Sequence, residues 1–130
     1  MLLIIFLVLV LAVFQAFLPG KYLVDQVGPE SQMGPRDNLP PPTPKLSRAQ
    51  NALRNFHETL PVFVTLSVLS IVLGEQEWLS LLGAWLFLIG RVGHVVCYLK
   101  ALSPWRSVAF MTALIGLLLM AIPLIPHIWA

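Results

Sequence analysis

Charge is scarce in this sequence. Asp, Glu, Lys and Arg together make up 11% of its 130 residues, too few to cover the surface of a water-soluble globule. The formal charge is only +2 and the basic residues are scattered, which argues against a nucleic-acid partner. Cysteine is almost missing as well. Cys97 stands alone, so no intrachain disulfide can form and no cysteine spacing suggests a metal site. What abounds is apolar surface, at 58% hydrophobic residues and a mean hydropathy of +0.84. Lipid must therefore be the solvent for much of the chain.

The length suits one domain. Four apolar segments predict helices over about 2–24, 47–73, 78–102 and 107–128, because a lipid-bathed backbone must bond internally. The expected fold is all-α, an integral membrane four-helix bundle. The first segment lacks a basic leading stretch and a small-residue cleavage site, so it reads as a retained transmembrane helix rather than a signal peptide. Between the first two helices lies a loop over about 28–45. Its six prolines, at 29, 35, 40, 41, 42 and 44, oppose a regular helix or an inner strand. The loop reads as a solvated linker, or else as a flap whose Arg36 or Asp37 touches a ligand. Ser47 is the expected N-cap of the second helix, and Pro123 and Pro126 should loosen the end of the fourth.

Every Lys and Arg lies in, or nearer to, the loops between helices 1 and 2 and between helices 3 and 4. The turn Gly74-Glu75-Gln76-Glu77 on the other side is acidic, and neither chain end carries Lys or Arg. The positive-inside rule then puts the basic loops in the cytoplasm and both termini outside. In a bacterium the membrane would be the inner one.

Polar groups at membrane depth cost several kcal/mol unless paired or facing a cavity, so the few present are informative. On the second helix, Arg48, Asn51, Asn55 and Glu58 share one face, and Arg54 and Glu58 are four apart and able to pair. On the third, Arg91, His94 and Tyr98 follow at i, i+3 and i+7, with Gly90 and Gly93 beside them. Small residues let membrane helices approach closely. The fourth helix opens Trp105-Arg106-Ser107, where an arginine opposes the helix macrodipole and an anion would compensate. Guanidiniums suit carboxylates, and Glu58 can accept from an ammonium. The inventory fits a zwitterionic peptide with several carboxylates. A pure Arg54–Glu58 ion pair is the plainer reading of the second helix, but it leaves Asn55 unexplained. A His94/Cys97 metal pair has too few ligands.

RAQNALRNFHETLPVF (48–63) and GRVGHVVCYLKALSPWRSVAF (90–110) resemble the MAPEG family, membrane-associated proteins in eicosanoid and glutathione metabolism. The likeness rests on N-x-x-E, R-x-x-H-x-x-x-Y and the R-S that opens the last helix. It implies a homotrimer of four-helix subunits, with glutathione as cofactor held between neighbouring subunits. It also implies a hydrophobic small molecule as second partner, reaching the site from the lipid bilayer. Arg54, Asn55, Glu58, Arg91, His94 and Tyr98 match the family's glutathione-binding positions, with His94 and Tyr98 as direct contacts. Arg106 matches the arginine that holds the thiol as thiolate, and Ser107 the serine beside it. Asn51 and Phe110 depart from the arginine and tyrosine of many members. A short, plain chain of this type is similar to the bacterial ones.

The function expected from this is a glutathione-dependent transferase or peroxidase acting on a lipophilic electrophile. Two alternatives stand beside it. One is a non-catalytic lipid-binding scaffold of the same family. The other is a small proton-coupled exporter, against which the first helix offers no membrane-embedded acid.

Overall fold

The computed structural model describes residues 1–130 and contains only helices and their connections. They are α1 (Leu2–Val27), a one-turn α2 (Pro29–Met33), α3 (Pro44–Val72), α4 (Trp78–Leu99) and α5 (Trp105–Ala121). A 3-10 segment, Ile122–Trp129, follows. Four spans are long and apolar enough to cross a bilayer: α1, α3, α4, and α5 together with the 3-10 segment. At 1.5 Å per residue, α1 and α3 reach about 39 and 44 Å, more than the hydrocarbon thickness of about 30 Å. Their ends near the 28–43 connection can therefore stand clear of the lipid.

Packing follows chain order, with α1 on α3, α3 on α4 and α4 on α5, the last pair being the tightest. On α1, Ile4, Val8, Leu11, Gln15 and Leu18 recur at helical spacing and face inward. Val10, Val13, Phe14 and Phe17 are exposed, as expected of a face turned to lipid. Phe63 of α3 stacks on Phe87 of α4 with centroids 4.5 Å apart and rings 9° from parallel, tying the centre of the bundle together. Gly90 of α4, with the facing pair Gly83 and Gly116, lets α4 and α5 approach closely. A Cβ on Gly90 would lie 2.6 Å from the Ala113 nitrogen and 2.7 Å from the Ala109 oxygen. The absent side chain lets the two backbones touch beside Arg91 and Phe110.

Several boundaries differ from those read in the sequence. The second span begins at Pro44, and its cap is Thr43 rather than Ser47. The Thr43 hydroxyl accepts from the Leu46 N–H at 3.3 Å, and Pro44 occupies a first-turn position where its missing N–H costs nothing. The connection expected to be free of helix contains the single turn of α2 and, at its end, the first residues of α3. There the prolines flank the turns instead of interrupting them: Pro29 opens α2, and Pro35 follows Gly34 at its end. The third span stops at Leu99, before the expected 102. The fourth starts two residues earlier, at Trp105, and gives way to 3-10 geometry at Ile122, where Pro123 withdraws an N–H.

The connection folds back on α1. The Gln26 amide donates to the Pro41 carbonyl at 2.8 Å and accepts from the Thr43 N–H at 3.2 Å. Arg36 and Asp37 are exposed, and they face a shallow hollow formed by their own loop. At the opposite end His127 and Glu75 pair at 2.7 Å, fastening the 3-10 segment to the α3–α4 turn.

Candidate functional site

Asn55 lies about 17 Å along α3 from Pro44. His94 and Tyr98 occupy the last two turns of α4, and Arg106 and Ser107 the first turn of α5. Because α4 and α5 are held in close contact, these three stretches converge near the ends that bear the basic loops. They line one open pocket of about 360 Å³, together with Phe110 and Met111. No carboxylate lines it, so its only formal charge is the Arg106 guanidinium.

Arg91 belongs behind this pocket rather than on its surface. It is fully buried, and its Nη1 donates to Asn55 Oδ1 at 2.8 Å. Its guanidinium carbon sits 5.5 Å from the Phe56 ring centroid and 5.9 Å from that of Phe110, contacts that offset part of the burial cost. Nε and Nη2 have no hydrogen-bond partner. The bond to Arg91 fixes the Asn55 amide with its oxygen turned toward α4, which leaves the amide NH2 as the group free to donate.

His94 is 2% exposed and its Nδ1 is unpartnered. Its ring is tilted against Tyr98 at 5.4 Å and Phe110 at 6.0 Å. The Arg106 guanidinium lies over the Tyr98 ring at 4.8 Å, so the phenol acts as a platform that holds the charge over the pocket. A smaller cavity of about 190 Å³ adjoins it, sharing Tyr98 and Arg106 and reaching Arg48 and Cys97.

Arg54 and Glu58 do not join the group. Both are exposed, and the ion pair suggested by their spacing does not form. They lie on α3 to the side of Asn55, outside the pocket lining. No three His, Cys, Asp or Glu side chains gather where a metal could be held. The Asn55–Arg91 bond was not foreseen from sequence. Its signal was there, since both are polar groups at similar depth on neighbouring helices. Met111 was missed too, although it falls four residues after Ser107.

These features define an all-helical integral membrane protein with a polar, cationic pocket at one end of its bundle. The family model described as MAPEG family matches residues 1–125, and the chain belongs to that family. A Homo sapiens protein, Prostaglandin E synthase, is 37% identical over 71 residues. That match covers 54% of this chain and 47% of the human protein, so the chain aligns with about half the length of its curated relative.

Proposed function

We propose that the protein is a glutathione-dependent transferase or peroxidase that acts on a lipophilic electrophile within the membrane. One observation carries the reading: Asn55, His94, Tyr98, Arg106 and Ser107, from three helices, meet in a pocket that has a guanidinium and no acid. Such a lining suits a ligand with carboxylates and an ionisable thiol.

Glutathione, when bound, supplies a thiol that reacts as its anion. Arg106 favours that anion by charge, against an ordinary thiol pKa of about 8.5. Ser107 is exposed at the pocket edge and donates its hydroxyl to the same sulfur. The Asn55 amide NH2, oriented by Arg91, donates to a carboxylate of the tripeptide. His94 and Tyr98 form the wall beside it. Arg91 acts through Asn55 and is a positioning residue. Exposed Arg54 and Glu58 can serve only a ligand that lies in a cleft against a neighbouring subunit, which fits a homotrimer with shared sites. The electrophile has an apolar approach. A hollow of about 390 Å³ between α3 and α5, walled by Val62, Leu66, Leu114, Leu117 and Leu118, continues the α5 face that carries Phe110 and Met111. In the membrane, the basic loops face the cytoplasm and both termini the outside; in a bacterium this is the inner membrane.

The test is a glutathione titration of detergent-solubilised wild type and Arg106→Ala, read by thiolate absorbance near ~240 nm and by turnover of a generic electrophile. Removal of one preorganised charge should lower turnover on the order of a hundredfold. Absence of glutathione binding, together with unchanged turnover in Arg106→Ala, would refute the assignment. A second reading, a lipid-binding member without catalysis, is favoured by Phe110, which lines the pocket with a ring that carries no hydroxyl. It predicts no thiolate signal even where glutathione binds.

A further inference from the structure

Residues 2–20 carry no charge, so α1 covers about 28 Å before its first cation, Lys21. That is close to the hydrocarbon thickness of about 30 Å. Lys21 therefore stands at phosphate level when α1 spans the bilayer. It does not stand alone. Lys45 and Arg48, one turn apart at the start of α3, border the same cavity of about 590 Å³ between the ends of the two helices. Asp25 is its one acid, and Tyr22, Gln26 and Thr43 supply neutral polar groups. Lys21 and Lys45 are exposed. Lys21 lies over the Tyr22 ring at 5.2 Å, in the arrangement of an interfacial aromatic anchor. Arg48 is half-buried, and its Nε is sealed from solvent without a partner. Arg48 borders the cavity and is only half-buried, so the accessible part of its guanidinium can meet an anionic acceptor there.

An acyl-chain track leads to this cavity. Val10, Val13, Phe14 and Phe17 are 64%, 58%, 53% and 73% exposed, and they recur at helical spacing on the α1 face that ends at Lys21. An apolar stripe that ends on three cations at phosphate depth matches one class of molecule, an anionic phospholipid.

We propose that Lys21, Lys45 and Arg48 form a binding site for the headgroup of an anionic phospholipid, with an acyl chain laid along Val10, Phe14 and Phe17. The site has its own cavity, which meets the Asn55–Arg106 pocket only through the smaller cavity that Arg48 also borders, and it does not depend on glutathione chemistry. It fixes the depth of α1 against α3 and holds the start of the proline-rich connection at the membrane surface.

The test is native mass spectrometry of the full chain, released from neutral detergent after titration with phosphatidylglycerol or with phosphatidylcholine of the same acyl chains. Wild type should bind phosphatidylglycerol at least tenfold more tightly, since each cation near a lipid phosphate contributes roughly fivefold. The triple variant Lys21→Gln, Lys45→Gln, Arg48→Gln should lose on the order of a hundredfold and with it the preference. Should the half-buried Arg48 prove necessary for folding, the double variant at exposed Lys21 and Lys45 should lose roughly 25-fold. Arg36→Gln with Lys100→Gln removes two exposed cations outside the cavity and should leave the preference intact. Equal binding of the neutral lipid, an equal loss in that control pair, or displacement of the lipid by millimolar inorganic phosphate would each overturn the site.

Discussion

Removing the Asn55 side-chain oxygen should destabilise the bundle more than the loss of one partly exposed amide suggests. Arg91 is completely buried and Asn55 is its one hydrogen-bond acceptor. A hydrogen bond to a charged group contributes about 1.5–3 kcal/mol, and the orphaned guanidinium then keeps its full burial cost. Asn55→Ala should therefore lower stability by about 2–3 kcal/mol. For a chain of this size that corresponds to roughly 6–12 °C in Tm. Arg91→Met removes the charge and keeps much of the volume, so the double variant should be less damaged than the sum of the singles. The coupling expected from the cycle is about 1.5–3 kcal/mol. Thermal unfolding in one detergent, followed by helical circular dichroism, measures all four corners. Additive effects within about 0.5 kcal/mol would show that Arg91 and Asn55 do not support each other. The description of Arg91 as a residue that orients the Asn55 amide would then be wrong.

Three other outcomes follow from the geometry. Gly90→Ala would press a methyl group into the Ala109 and Ala113 backbone at 2.7 and 2.6 Å, so α4 and α5 must part; a loss of about 1–3 kcal/mol in thermal unfolding is expected. His127→Ala breaks a pair whose side chains remain 32% and 28% exposed, and should cost under about 1 kcal/mol and move Tm by less than roughly 4 °C. Ser107→Ala should leave Tm unchanged and lower glutathione-dependent turnover by about tenfold, with glutathione affinity little altered, because its exposed hydroxyl touches only the pocket.

The least apolar of the four spans is α3. This is where the residues of interest were easiest to see and hardest to sort. A helix repeats every 3.6 residues, so spacing says that Arg48, Asn55 and Glu58 share a side. It does not say which neighbour that side meets. Arg54 and Glu58 read as a self-contained pair, yet they are exposed and apart, while Asn55 turned to Arg91 on another helix. The cap at Thr43 was hidden by Pro44. A proline is normally taken as the end of a loop, and here it is the first residue of the helix.

What the sequence determined by itself was the environment and the number of crossings. Long uncharged runs require lipid, and lipid requires a backbone that satisfies its own hydrogen bonds, so four helices follow from composition and length alone. The tertiary structure decided which polar groups face a guest and which face one another. Arg91 and Arg106 carry the same side chain, the first about two turns inside α4 and the second in the first turn of α5. Helix contacts sealed the first between Phe56 and Phe110 and spread the second over Tyr98 at an open pocket. That difference comes from packing between α3, α4 and α5, which joins residues on different helices and so leaves no mark in the pattern of any one helix.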